Sequence, residues 1–311
     1  MNTYMPEGAL AKTEKNYEYI SSEAGLEFAL ENQIILESAA ILCDHKFNLH
    51  VNLPFGMRGI IPREESQLTR TGEDVKDIAI LTRVGKPVCF KVLGFNRTPS
   101  GERIAIFSRR AAQEECKENY VSTLLPGDII PSKVTHIENF GAFVDIGCGI
   151  NSLLSIDSIS VSRISSPSDR LRVGDYLYTV VKSRDDRGRI YVSMRELLGT
   201  WKENAEMFKE GETVRGVVRS VESYGVFVEL APNLAGLAEY RENTYTGQNA
   251  AVYIKSIIPD KMKIKLIIID TDDDPVMHTP PRYFVDTEKI CHIDSWTYSP
   301  TSCKRVIESV F

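Results

Sequence analysis

A short phrase recurs three times in this chain, and any fold it adopts must be built from three like units. The phrase reads Phe47-Asn48-Leu49-His50-Val51, then Phe140-Gly141-Ala142-Phe143-Val144, then Tyr224-Gly225-Val226-Phe227-Val228. Recurrence of this kind sets the architecture before any single residue is interpreted.

Strand parity suggests where the phrase points. Side chains of a strand alternate faces with period two. Ala142, Val144 and Ile146 then share one apolar face, while Phe143 falls in phase with Asp145. Phe227 is likewise in phase with Glu229, and His50 with Asn52. A ring in phase with a carboxylate or amide is expected on the solvent side. Phe140 lies three residues before Phe143, so a bulge between them would bring both rings to one face, and glycine permits one. Gly141 and Gly225 occupy that slot, and Asn48, tolerant of positive φ, fills it in the first copy. The burial bias of phenylalanine supports the alternative, in which these rings are core packing.

Each copy continues past the phrase. In the second, Gly127-Asp128 opens an apolar run from Ile129 to Ile137, and the aromatic strand follows. Further strands are expected from Ile150 to Leu154, from Tyr176 to Val181 and from Arg189 to Ser193, the last after the turn Asp185-Asp186-Arg187-Gly188. Five short strands separated by turn signals predict a small closed barrel. The third copy follows the same course from Gly211-Glu212, and the first, the most diverged, from about Gln33 to Ser108. The connectors read as helical. Thr200-Trp201-Lys202-Glu203 has the capping-box pattern, Ala111 to Tyr120 is helix-like, and Lys15 to Asn32 reads as one amphipathic helix. The fold class expected is mainly β: three tandem five-stranded closed barrels joined by short helices, plus a small C-terminal β extension. The boundaries are a lead-in over 1–32, repeats over 33–110, 125–198 and 210–270, helical linkers over 111–124 and 199–209, and an extension over 271–311 with three or four short strands.

Composition narrows the function classes. No apolar stretch approaches the length needed to cross a bilayer, and Met1 to Glu14 lacks a signal-peptide core. A membrane partner is therefore not expected, and a cytoplasmic location is. The six cysteines form no CxxC pair, which fits reduced thiols. The net charge of −6 argues against indiscriminate polyanion binding. Local basic groups exist nonetheless, among them Arg170, Lys182, Arg187 and Arg189 in the second copy and Lys255, Lys261, Lys263 and Lys265 in the third.

Repeats two and three resemble the S-one RNA-binding domain, an OB-fold barrel repeated in the largest protein of the bacterial small ribosomal subunit. The motifs that carry this are G-D-I-I-x-x-K-V-T-x-I-x-N-F-G-A-F-V-D-I from Gly127 and G-E-T-V-R-G-V-V-x-S-V-x-S-Y-G-V-F-V-E-L from Gly211. The close D-D-R-G-R-I-Y-V-S from Asp185 supports it, and the likeness spans roughly residues 33 to 270. The resemblance implies an RNA-binding face of two aromatics, a histidine, and an Asp and Arg around the last turn. Carried over, repeat two supplies Phe140, Phe143, Asp185 and Arg189, with Ser155 in the histidine slot. Repeat three supplies Tyr224, Phe227 and Lys263, with Glu239 in the histidine slot and Pro259 near the Asp slot. Repeat one supplies Phe47, His50 and Arg103, with Pro62 replacing the histidine.

The resemblance further implies non-catalytic binding of single-stranded RNA, messenger RNA above all, with low sequence specificity, in translation or RNA metabolism. The small ribosomal subunit is the implied docking partner, and no cofactor is implied. A protein-interaction scaffold stays open beside this, because Ser155, Glu239 and Pro259 depart from the pattern. An enzyme is not expected. Pro275 and Pro281 break the calcium-loop pattern that begins at Asp270, and the spacing of His278, Cys291, His292 and Cys303 fits no standard zinc site.

Overall fold

The computed structural model describes residues 4–69 and 73–311. Residues 1–3 of the expected lead-in and 70–72 of the expected first repeat lie outside that range. Two helices come first, α1 (Glu14–Ile20) and α2 (Glu23–Glu31). The single helix expected over 15–32 is therefore broken. Ser22 caps α2, its hydroxyl accepting the Gly25 N–H at 3.0 Å. This cap stops one helix and starts the next.

Among the described residues, fifteen strands then form three closed barrels. The first contains β1 (Leu36–Cys43), β2 (Leu49–Val51), β3 (Arg58–Ile61), β4 (Pro87–Arg97) and β5 (Arg103–Ser108). The second contains β6 (Ile129–Glu138), β7 (Gly141–Asp145), β8 (Asn151–Ser155), β9 (Tyr176–Arg184) and β10 (Ile190–Ser193). The third contains β11 (Thr213–Glu222), β12 (Gly225–Ala231), β13 (Leu234–Ala238), β14 (Asn249–Ile258) and β15 (Lys263–Asp272). Around each barrel the strands neighbour in the order first, second, third, fifth, fourth, with the third and fifth strands parallel. Short strands of period-two patterning can bury one face only if the sheet closes on itself, and closure also removes the edges.

The cores follow that patterning. Ala142, Val144, Leu154, Val180 and Val192 are buried in the second barrel, and Val226, Val228, Val252, Ile264 and Leu266 in the third. The linker between these two carries the expected capping box: the Thr200 hydroxyl accepts the Glu203 N–H, and the Glu203 carboxylate accepts the Thr200 N–H. Trp201 and Ala205 pack into the third barrel's cluster.

The C-terminal extension holds fewer strands than expected. A single ladder joins β16 (Ser295–Thr297) to β17 (Glu308–Val310). Tyr283–Val285 and Ile290–Ile293 are not strands and work as side-chain anchors. Tyr283, Val285, Ile293 and Phe311 pack with Ile129, Val180 and Leu197 of the second barrel region, while Trp296 and Tyr298 join the third barrel's cluster. The compact units number two. One is Met1–Leu124 with Asp145–Asn151, and the other is Leu125–Val144 with Ser152–Phe311.

Candidate nucleic-acid interface

In the second barrel, Phe140 sits in the turn that enters β7 and is 55% exposed. Phe143, inside the strand, is half-buried. Their rings meet edge to face, with centroids 6.2 Å apart at 89°, a geometry aromatic quadrupoles favour. The rings share a side as expected, for a different reason. Phe140 belongs to the turn, so no bulge is needed, and Gly141 has an ordinary backbone conformation. It is glycine because a Cβ would stand 2.5 Å from the Leu154 carbonyl oxygen and 2.9 Å from Ser155 Cα. Close approach of β8 demands it.

His136 extends the pair. Its ring lies nearly parallel to Phe143, centroids 6.4 Å apart at 23°, and its Nε2 is 2.7 Å from Glu138 Oε1. The Thr135 hydroxyl donates to the Phe143 carbonyl at 3.1 Å, which places this part of β6 beside the aromatic strand. Sequence reasoning missed His136. The hairpin register, folding the residues before Asn139 back across those after it, was the signal that could have found it.

The cation comes from the β9–β10 turn. Asp185 accepts the N–H of Arg187 at 3.0 Å and of Arg189 at 2.8 Å, and it pairs with Arg189 Nε at 2.7 Å. The Arg189 N–H, followed by the Arg189 guanidinium, holds the Asp185 carboxyl below its ordinary range. Asp185 therefore aims Arg189, which stays 56% exposed. Tyr191 pairs with Leu153 on β8, and Arg189, two residues earlier, shares the outward face. Ser155, in the histidine slot, donates its hydroxyl to Ser158 at 2.9 Å.

Two carboxylates used to argue outward orientation are internal. Asp145 is 1% exposed and accepts the N–H groups of Glu7, Gly147 and Gly149 at 2.7, 2.8 and 3.0 Å. Glu229 is 6% exposed and is clamped by Arg170 and Arg219, the nearest contacts to each being 2.5 and 2.9 Å. The two guanidiniums offset the penalty of burying the Glu229 charge, whereas burial and the nearby Glu7 charge outweigh the N–H partners of Asp145 and favour its protonated form.

The third barrel repeats the ring pair. Tyr224 is 68% exposed and meets Phe227 at 6.2 Å and 87°. Phe227 pairs with Leu237, and Leu237 with Lys265, so Lys263 lies on the same outward row. Met262, at φ 47°, takes the left-handed turn position held by Gly188 in the second barrel. Glu239 stands exposed just beyond β13.

The first barrel departs furthest. Positive φ falls on Phe47 (61°), not on Asn48, and the Arg63 guanidinium covers the Phe47 ring at 5.0 Å. Asn48 donates its side-chain N–H to Asp44 and accepts the Arg63 N–H. His50 is half-buried, its Nε2 3.4 Å from Asp44. Arg103 is off the expected face. It shares strand parity with Ala105 and Phe107, which are buried, lies over Phe95 at 4.4 Å, and pairs with Glu23 and Glu27 of α2. The turn bond from Thr98 N–H to the Glu102 carbonyl matches that from Asp185 to Arg189, so Glu102 holds the cation's position, and it pairs with Arg58. The face next to His50 is aliphatic, with Ile60 opposite it and Ile106 beside that.

A protein-family model described as the S1 RNA binding domain matches residues 124–195, the second barrel. A small ribosomal subunit protein bS1 from Staphylococcus epidermidis is 30% identical over 274 residues, covering 83% of this chain and 65% of that protein. Its counterpart from Staphylococcus aureus (strain COL) is 31% identical over 237 residues, covering 74% and 56%. The chain thus spans about 56–65% of the length of these relatives. Among solved structures, a multidomain protein with nucleic acid binding domains from Streptococcus pneumoniae matches 76% of this chain and 73% of its own, at 16% identity and a TM-score of 0.25. The second barrel is thus an S1 RNA binding domain, and the first and third barrels repeat its strand order.

Proposed function

We propose that this chain binds single-stranded RNA without catalysis, chiefly through the face of its second barrel. The observation that carries the reading is the ring pair Phe140–Phe143, extended by His136 and flanked by the exposed Arg189. Exposed rings offer stacking worth about 1–3 kcal/mol per base, and any base presents a π-face. Arg189, pre-aimed by Asp185, holds phosphate without reading sequence. A duplex keeps its bases stacked away from such rings, so unpaired strands are preferred. The third barrel adds Tyr224, Phe227 and Lys263, and linked barrels gain affinity through effective concentration. The relatives, named as small ribosomal subunit proteins, support a role in translation beside that subunit, with messenger RNA as the strand and the cytoplasm as the location. Among the described residues no helix is long and apolar enough to cross a membrane.

The first barrel favours a different use. Its cation slot holds Glu102 paired to Arg58, its Phe47 ring is capped by Arg63, and its outward row is aliphatic. Protein docking suits that face better than RNA. The experiment is a fluorescence anisotropy titration of the full chain with a single-stranded oligonucleotide and its duplex. The single strand is expected to bind at least tenfold tighter, and His136→Ala to weaken it about threefold to tenfold, at the low end of one stacking contribution. Equal affinity for both nucleic acids would remove the stacking account.

A further inference from the structure

Beyond the ring pair, the third barrel carries an outward strip on β14 and β15 to which the domain pattern contributes only Lys263. Tyr253 (38% exposed) and Ile267 (46% exposed) are directly paired neighbours on these strands. Lys263 and Lys265 continue the same row along β15, Ser256 pairs with Lys265, and the exposed Lys255 sits at the bulge beside them. Lys255, Lys261, Lys263 and Lys265 have no carboxylate within ion-pair distance among the described residues. Four such ammonium groups around one hairpin form a local positive field.

The strip is continuous with the ring pair. Phe227 is beside Leu237, Leu237 beside Lys265, and Lys265 beside Ser256, four adjacent strands of one barrel. At about 4.8 Å per strand the path from Phe227 to β14 is about 14 Å. An acidic end bounds it: Asp270 and Asp272 lie further along β15, opposite Ala251 and Asn249. Phosphates are thereby excluded from that end and directed across the strands.

We infer that single-stranded RNA leaving the Tyr224–Phe227 pair crosses the lysine row and stacks a further base on Tyr253, so that the third barrel binds through β14 and β15 as well as through its ring pair. This rests on the RNA-binding reading of the same chain. An exposed tyrosine flanked by an aliphatic side chain and unpaired ammonium groups offers both parts of such a contact, a π-face and phosphate neutralisation. A protein partner would need an acidic surface, and the test below separates the two.

The full chain is titrated with oligouridylates of about 6 and about 16 nucleotides, spanning the site sizes known for one OB fold, over a series of salt concentrations. Three variants are compared with the parent: Tyr253→Ala, Tyr253→Phe and Lys255→Gln/Lys265→Gln. Tyr253→Ala is expected to weaken the longer strand about fivefold, with Tyr253→Phe restoring it. Loss of two lysines is expected to lower the log-log salt slope by about 1.4, from about 0.7 per phosphate contact. Unchanged affinity and slope in these variants, with Phe140→Ala/Phe143→Ala still weakening binding, would overturn the strip and leave the second barrel's role standing. The reverse pattern would keep the strip and remove the second barrel's role. No binding by the parent chain would overturn both, and would assign the lysines to an acidic protein surface.

Discussion

Replacing Gly141 by alanine should damage the binding face without touching an aromatic ring. The added Cβ would stand 2.5 Å from the Leu154 carbonyl oxygen and 2.9 Å from Ser155 Cα, against an ordinary contact of 3.4–4 Å. Both obstructing atoms are backbone, so no side chain can swing aside. β7 and β8 must part by about 1 Å, and overpacking of this kind costs about 1–3 kcal/mol. The displacement falls on the bond that anchors Phe140, whose carbonyl accepts the Ile156 N–H at 3.0 Å. If one stacked base is lost with it, about 1–3 kcal/mol of binding goes, a fall in affinity of about fivefold to about a hundredfold. Gly174→Ala is the control. Its φ of 100° makes alanine strained, but nothing lies within 4 Å of the new Cβ, so the cost is about 1–2 kcal/mol of stability with RNA affinity retained. Urea melts and anisotropy titrations of both variants give the comparison. A Gly141→Ala protein that melts and binds like the parent would refute the close-approach argument. So would a Gly174→Ala protein that loses RNA equally.

Other outcomes follow from the buried charges. Glu7 pairs with Arg109 at 2.6 and 3.0 Å, the side chains 6% and 2% exposed, so Glu7→Ala should cost about 3–5 kcal/mol by stranding the guanidinium. Urea unfolding would show this in the transition of the N-terminal unit, with most of the loss recovered by adding Arg109→Met. Burial first, then the charge of Glu7, raises Asp145 from 3.8 to about 7. The folded state then holds a proton that the unfolded chain releases, so this group's contribution is full below pH 3.8 and is lost as pH rises to about 7. Asp145→Asn should flatten the pH dependence of the urea midpoint across that window. In the tail the sign is set by a base. The hydrogen bond to Asp128 raises His292 above 6.5, giving stability that is present below pH 6.5 and lost as pH climbs through the folded value. His292→Gln should remove that loss from the urea midpoint, and a midpoint that still falls identically would place its origin elsewhere.

Much of the fold was legible because period-two patterning and turn residues are local signals. The strands of the second barrel start and stop within a few residues of the expected positions, and the Thr200–Glu203 box is where its pattern puts it. The helix break at Ser22 was missed although serine favours an N-cap over a helix interior, because helical apolar spacing continues on both sides of it. Asp145 and Glu229 misled because strand parity reports a face and not what covers it. Their covers, the Glu7 segment and Arg170, come from distant sequence. Arg103 misled by a single residue, since adjacent residues on a strand point to opposite sides. His136 was invisible along the chain because its partnership with Phe143 exists only across a hairpin.

The central claim is that exposed rings of the second barrel hold unpaired RNA bases. Its most direct test is the affinity of Phe140→Ala/Phe143→Ala for a single-stranded oligonucleotide, with circular dichroism confirming the fold. The account predicts a loss of at least about thirtyfold, from two stacking contributions of at least about 1 kcal/mol each. Affinity equal to that of the parent chain would contradict it.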